Sequence, residues 1–200
     1  GNKFYEADVD EKSFINLYPF LPAHFELLLN LLGVLAKSTG GIGLRSAIKV
    51  IHDVLVEGID DQLPIAEQNI GWLATSVTLY DALEKDIGAA FATKHNAVVK
   101  IHKSNWHDSE VHQGVVKTVV LLEILNNLPI TRQNVAALMH GETTAQSQKE
   151  NIERAIEQLI NDPKVSLAEK EGELCFFSEK LNDIERERHQ LRLPSLELRK

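Results

Sequence analysis

Val165-Ser166-Leu167-Ala168-Glu169-Lys170-Glu171-Gly172-Glu173-Leu174-Cys175-Phe176-Phe177 decides the fold of the second half of this chain. Two short apolar runs, Val165-Ser166-Leu167 and Leu174-Cys175-Phe176-Phe177, bracket Glu171-Gly172-Glu173. Strand-like runs around a glycine-containing turn predict a β-hairpin. Three helices precede it. Val111–Leu125 is strongly apolar and is broken by Pro129. Thr131 is a good N-cap for a short helix running to Met139, which Gly141 ends. Residues 144–160 predict a third helix with Ile152, Ile156, Leu159 and Ile160 facing inward.

Helix, helix, helix, hairpin is the order of a winged helix. The half before it reads as helical throughout. From Pro22, which suits a first helical turn, Phe25, Leu28, Leu29, Leu32 and Leu35 recur at three- and four-residue steps. A second helix starts near Leu44, with Ala47, Ile48, Ile51, Val54 and Leu55 as its stripe and Gly58 as its stop. Residues 58–75 form a connector in which Ile65, Ile70, Trp72 and Leu73 call for burial. Helices over roughly 76–88 and 90–103 follow, and Lys103–Asp108 is a joint. The expected organisation is mainly α. An extension at 1–13 leads into a helical lid-like domain at 14–105 and a winged-helix-like domain at 108–180, with a charged helix and tail at 181–200.

The 200 residues are 44% hydrophobic and 25% charged, enough apolar material for a real core. A formal net charge of -8 argues against a protein whose main work is neutralising nucleic acid. The single cysteine, Cys175, allows no internal disulfide and no Cys-based zinc spacing, so a reducing cytoplasm is expected. No apolar run approaches the ~20 residues of a membrane helix, and no basic-then-apolar signal pattern opens the chain. Gly1 stands where an initiator Met would, and a piece of a longer protein is expected.

Gly40, Gly41 and Gly43 crowd a loop ahead of Arg45-Ser46 and an apolar helix. Glycines before a helix N-terminus are the material of phosphate sites. A Walker A loop, however, needs GxxxxGK[ST] fed by a strand, and here the spacing differs and a leucine-rich helix precedes. Two readings stand: a flexible turn between helices, or a device that presents Arg45. In a first helical turn a cation opposes the dipole, a conflict that a phosphate would relieve. His95, His102, His107 and His112 fall within eighteen positions but lack zinc spacing. They read as surface histidines. Asp53 beside His52 points elsewhere on a helix, Asp60-Asp61 reads as a solvated turn, and Cys175 reads as inert core, so no active site assembles. A DNA-reading winged helix would offer Lys149, Arg154, Lys164 and Lys170, but Glu150, Glu153 and Glu157 on the same helix would repel phosphate. Protein contact is therefore the favoured use.

Tyr18-Pro19-Phe20-Leu21-Pro22 resembles the YPF-x-P segment of large P-loop ATPases of the BREX and Pgl phage-defence kind, BrxC- and PglY-like. There the segment opens the helical lid after an AAA+ core. Gly43-Leu44-Arg45-Ser46-Ala47-Ile48 is similar to the lid helix that carries the sensor-II arginine, with a Gly-x-Arg-small-Ala-apolar pattern as in origin-recognition-type members. In those members, too, a winged helix follows the lid. The resemblance implies that Gly40, Gly41 and Gly43 support Arg45 as a nucleotide sensor. It implies ATP and magnesium in an upstream core of the same polypeptide, since this chain has no Walker A or B motif, holds no cofactor or metal of its own and is not itself an enzyme. Protein partners follow from the same resemblance, with no membrane. A DNA-binding regulator and a helical scaffold without nucleotide, in which Arg45 pairs with Asp53 or Glu57, are the alternatives.

Overall fold

Apolar spacing and local caps build eight helices and one hairpin in the computed structural model, which describes residues 10–39, 43–59 and 63–177. Residues 1–9, Gly40, Gly41, and the expected tail at 181–200 lie outside the described residues. Asp10 caps α1 (Glu11–Leu17) by accepting the Ser13 N–H at 2.6 Å. Pro22 opens α2 (Pro22–Thr39), and Gly43 is the first residue of α3 (Gly43–His52). The chain then widens into one π-helical turn, Asp53–Glu57, and stops at Gly58, whose φ of 84° favours glycine. A 3-10 turn, Ile65–Glu67, lies in the connector. Thr75 and Thr78 form a capping box at the start of α4 (Ser76–Ala90), and Phe91 separates it from α5 (Ala92–Ile101).

Helix α6 (Glu110–Leu125) is apolar nearly all round, so it must be enclosed. It packs on α2, α4 and α5 on one side and on α7 (Arg132–Leu138), α8 (Lys149–Asn161) and the hairpin on the other. Val115, Val116, Val119, Val120, Leu121 and Leu122 have no solvent exposure at all. The buried apolar residues form one connected cluster from Phe20 to Leu174. Strands β1 (Leu167–Lys170) and β2 (Glu173–Phe176) pair antiparallel, Leu167 opposite Phe176 and Lys170 opposite Glu173. Glu171 (φ 54°) and Gly172 (φ 83°) make the two-residue turn, both in the left-handed region that such hairpins need. Leu174 N–H donates to the Ile130 carbonyl at 2.8 Å, which lays the segment before α7 beside β2. Thr131 caps α7 as its sequence predicts, accepting the Asn134 N–H at 3.1 Å.

Several expectations need correction. Helix α8 begins at Lys149 rather than 144, because the chain ahead of it is used elsewhere. Leu73 N–H donates to the Gly141 carbonyl at 2.9 Å, and Thr143 N–H donates to the Gly71 carbonyl at 2.8 Å. Ile70, expected to be buried, is 98% exposed: it lies in a turn closed by the Trp72 N–H on the Asn69 carbonyl. On α2 the inward stripe is His24, Leu27, Leu28, Leu31, Leu32 and Leu35, with Leu29 turned out. On α3 and its π-turn, Ala47, Val50 and Val54 face inward while Ile48 is exposed. Val165 and Ser166 precede β1 rather than belonging to it.

Gly71 tests the connector pairing. Its φ is +96°, and an added Cβ would lie 2.5 Å from Thr143 Oγ1. We expect Gly71→Ala to lower unfolding free energy by about 1–3 kcal/mol, read from urea denaturation. A change within ~0.5 kcal/mol, the range of an unconstrained surface position, would mean that the pairing with Thr143 contributes nothing.

Candidate functional site

The residues singled out by sequence fall into three regions. The first is the start of α3. Arg45 occupies its first turn, two residues after Gly43. Further along, Lys49 binds Asp53 as an i,i+4 pair, and this draws the lysine pKa up. Asp53 is 7% exposed. Of the two carboxylates that a scaffold role would offer Arg45, Asp53 pairs with Lys49 and Glu57 lies near His52. Among the described residues, His52, Asp53 and Glu57 bring three potential ligand atoms within 4.8 Å of one another. His52 Nδ1 stands 3.9 Å from one oxygen of each carboxylate, and Lys49 already pairs with Asp53.

The second region is the Tyr18–Pro22 motif. Phe20 is buried and lies edge-on to Phe25 at 6.2 Å, and Tyr18 packs near Phe14 at 5.7 Å. The Pro19 carbonyl accepts the Ala74 N–H at 2.9 Å. The Tyr18–Pro19 peptide is cis. In the first turn of α2 the structure reveals a residue that sequence reading passed over. His24 is 2% exposed, and its Nε2 lies 3.0 Å from the Leu138 carbonyl oxygen. A carbonyl only accepts, so Nε2 carries the proton and donates. Burial holds the His24 pKa down at about 4. The available signal was positional: His24 stands in register with Leu27, Leu28 and Leu31 on the apolar face of α2.

The third region is the outer face of α8 and the hairpin. Arg132 from α7 donates to Glu157 of α8 at 2.8 Å and to Glu169 of β1 at 2.7 Å, which drives the guanidinium pKa further up. Lys149 pairs with Glu153 at 3.8 Å. Lys170 Nζ lies 4.9 Å from the centre of the Phe177 ring. Arg154 and Lys164 are exposed. The proposed DNA-contacting cations are therefore interleaved with carboxylates, two of which already hold Arg132.

The histidines divide. His102 and His107 are exposed, as expected, but His112 is 8% exposed. It stacks on Trp106 at 4.0 Å, its Nδ1 lies 2.6 Å from Ser109 Oγ and its Nε2 lies 2.9 Å from Gln158 Oε1. An amide oxygen accepts, so Nε2–H donates to Gln158 and Ser109 donates to Nδ1. Trp106 Nε1 donates to Asp162 at 2.8 Å. This corrects the reading of His112 as a surface residue: the expected joint is a packed aromatic bracket on α8. Ser109 and His112 resemble a nucleophile–base pair, but the adjacent cleft of about 390 Å³ is lined by Trp106, Gln158 and Asp162 and not by Ser109. His95 is half-buried, its Nδ1 2.6 Å from the Tyr80 hydroxyl. Cys175 is half-buried, and burial pushes its thiol pKa up, away from the reactive thiolate. Among the described residues no helix is long and apolar enough to cross a membrane.

No family model matches the chain, and no solved structure matches it either.

Proposed function

We propose that this chain is the helical lid and winged helix of a large P-loop ATPase of the AAA+ kind. It is non-catalytic by itself, reads nucleotide state through Arg45 and contacts protein partners, in the phage-defence setting that the sequence resemblance implies. The observation that carries this reading is element order. Leucine-rich α2 is followed by α3 with Arg45 in its first turn, and later come α6, α7, α8 and the β1–β2 hairpin. A winged helix places a short strand between its first two helices, beside the hairpin. The Ile130–Leu174 hydrogen bond stands at that position and supports the assignment.

ATP and magnesium would belong to the upstream core of the parent. This chain would contribute a guanidinium aimed at phosphate charge, from a helix end where that charge is otherwise disfavoured. Lid movement would report the nucleotide state onward. The test is ATP turnover and ATP binding by the intact parent, wild type against Arg45→Ala.

Use of the winged helix on DNA is the weaker reading, because Glu157 and Glu169 neutralise Arg132 and Glu153 engages Lys149. We expect no measurable binding of this chain to a short DNA duplex in a fluorescence-anisotropy titration at low salt. Binding that weakens with salt along a steep log–log line would instead establish a phosphate-contacting face.

A further inference from the structure

The N-termini of α2 and α4 both meet the C-terminus of α7. His24, in the first turn of α2, donates to the Leu138 carbonyl at 3.0 Å. Ser76, the first residue of α4 and fully buried, donates to the same oxygen at 3.0 Å. Its hydroxyl lies 2.8 Å from Thr118 Oγ1 of α6. With the Ser76 proton spent on Leu138, Thr118 is the donor in that pair. Two helix N-termini facing one C-terminus is also the favourable arrangement of backbone dipoles.

Backbone pairing continues the junction on both sides. Ala74 N–H donates to Pro19, Leu73 N–H donates to Gly141, and Thr143 N–H donates to Gly71, at 2.9, 2.9 and 2.8 Å. The motif residues Pro19 and Phe20, the connector at 71–74 and the α7–α8 turn are thus stitched side by side. All of these donors and acceptors join segments far apart in sequence, so none is formed by a helix acting alone.

We propose that these contacts form a clasp through which a displacement of α2 reaches α7 and α8. His24 and Ser76 hold the Leu138 carbonyl, Pro19 holds Ala74, and the connector at Gly71 and Leu73 holds the turn at 141–143, which sets where α8 begins. The clasp deepens the lid-and-winged-helix reading, on which its biological purpose rests, by naming the route between the two halves. Its existence is a property of this chain and is tested without nucleotide.

Hydrogen exchange, read by mass spectrometry on the full chain, is the test. His24→Leu removes one donor from the Leu138 carbonyl. It should speed amide exchange roughly three- to tenfold in both 71–74 and 139–143, with β1, β2 and α5 unchanged. His24→Gln, whose amide N–H can reach the same oxygen, should stay near wild type. Gly71→Ala, which pries the connector from Thr143, should in return speed exchange from Phe25 onward, at the first hydrogen-bonded amides of α2, where it alters no contact. Equal exchange in His24→Leu and His24→Gln, or a Gly71→Ala effect confined to 71–74 and 139–143, would overturn the clasp. If His24→Leu does not fold, the Gly71→Ala measurement decides alone. Failure of the Arg45 test would leave a positive exchange result standing, and a negative exchange result would leave Arg45 untouched.

Discussion

If this chain is the lid we propose, Arg45→Ala in the intact parent protein is expected to lower ATP turnover about 10²-fold with ATP affinity changed little. The magnitude follows from the worth of one preorganised donor to charge that develops in a transition state. Arg45 stands in the first turn of α3, where exposed N–H groups make a cation unwelcome unless an anion is near. Arginine also offers a rigid, always-charged fork suited to phosphate oxygens. Lysine lacks that fork, so Arg45→Lys should recover only part of the lost rate. A role confined to the chemical step lowers kcat and kcat/KM together, whereas lost ground-state binding would raise KM alone. Thermal unfolding of this chain should be nearly the same in wild type and Arg45→Ala. Equal turnover in the two proteins would remove the nucleotide role and leave a helical interaction module.

Local chemistry was readable in sequence wherever a residue acts on its own neighbourhood. Pro22 opens α2, Thr131 caps α7, and Gly172 sits in the hairpin turn, because each of these effects is decided within a few residues. The mainly helical order with one small hairpin followed from those signals together with apolar periodicity. What stayed hidden depends on partners distant in sequence. Residues 144–148 carry no helix breaker, yet the chain at 141–143 is committed to pairing with 71–73, and α8 starts late. His112 looks like any helical histidine until Trp106 and Gln158 close around it from two other segments. Arg132 has no carboxylate near it in sequence, and only the approach of α8 and β1 gives it two. The candidate site was legible to the extent of placing Arg45 at a helix start. The junction around Leu138 was not, since a carbonyl that receives two remote side chains leaves no trace in its own sequence.

Acidification should expose that junction. Between pH 6.5 and 4 the chain is expected to lose about 3 kcal/mol of stability through His24 alone. The folded-state pKa is held down at about 4 from an ordinary 6.5, first by burial, with His140 adding a further push downward. A depressed histidine pKa means that the unfolded chain takes up the proton first. Above pH 6.5 His24 is neutral in both states and its contact with Leu138 is fully present. As the pH falls below 6.5 the unfolded state is increasingly favoured, by about 1.4 kcal/mol per unit, until the folded form also protonates near pH 4. Protonation would leave a cation in a site where Nδ1 has no hydrogen-bond partner among the described residues. His102, exposed but with part of its ring desolvated, also has a lowered pKa and shifts stability in the same direction, so the contrast must be taken against a variant. His24→Gln keeps an uncharged donor and retains His102. Urea denaturation of both proteins at pH 7 and pH 5 should show wild type losing about 2 kcal/mol more than His24→Gln over that interval. Parallel losses would show that His24 titrates as an exposed histidine does, and would contradict its enclosure beneath the Leu138 carbonyl.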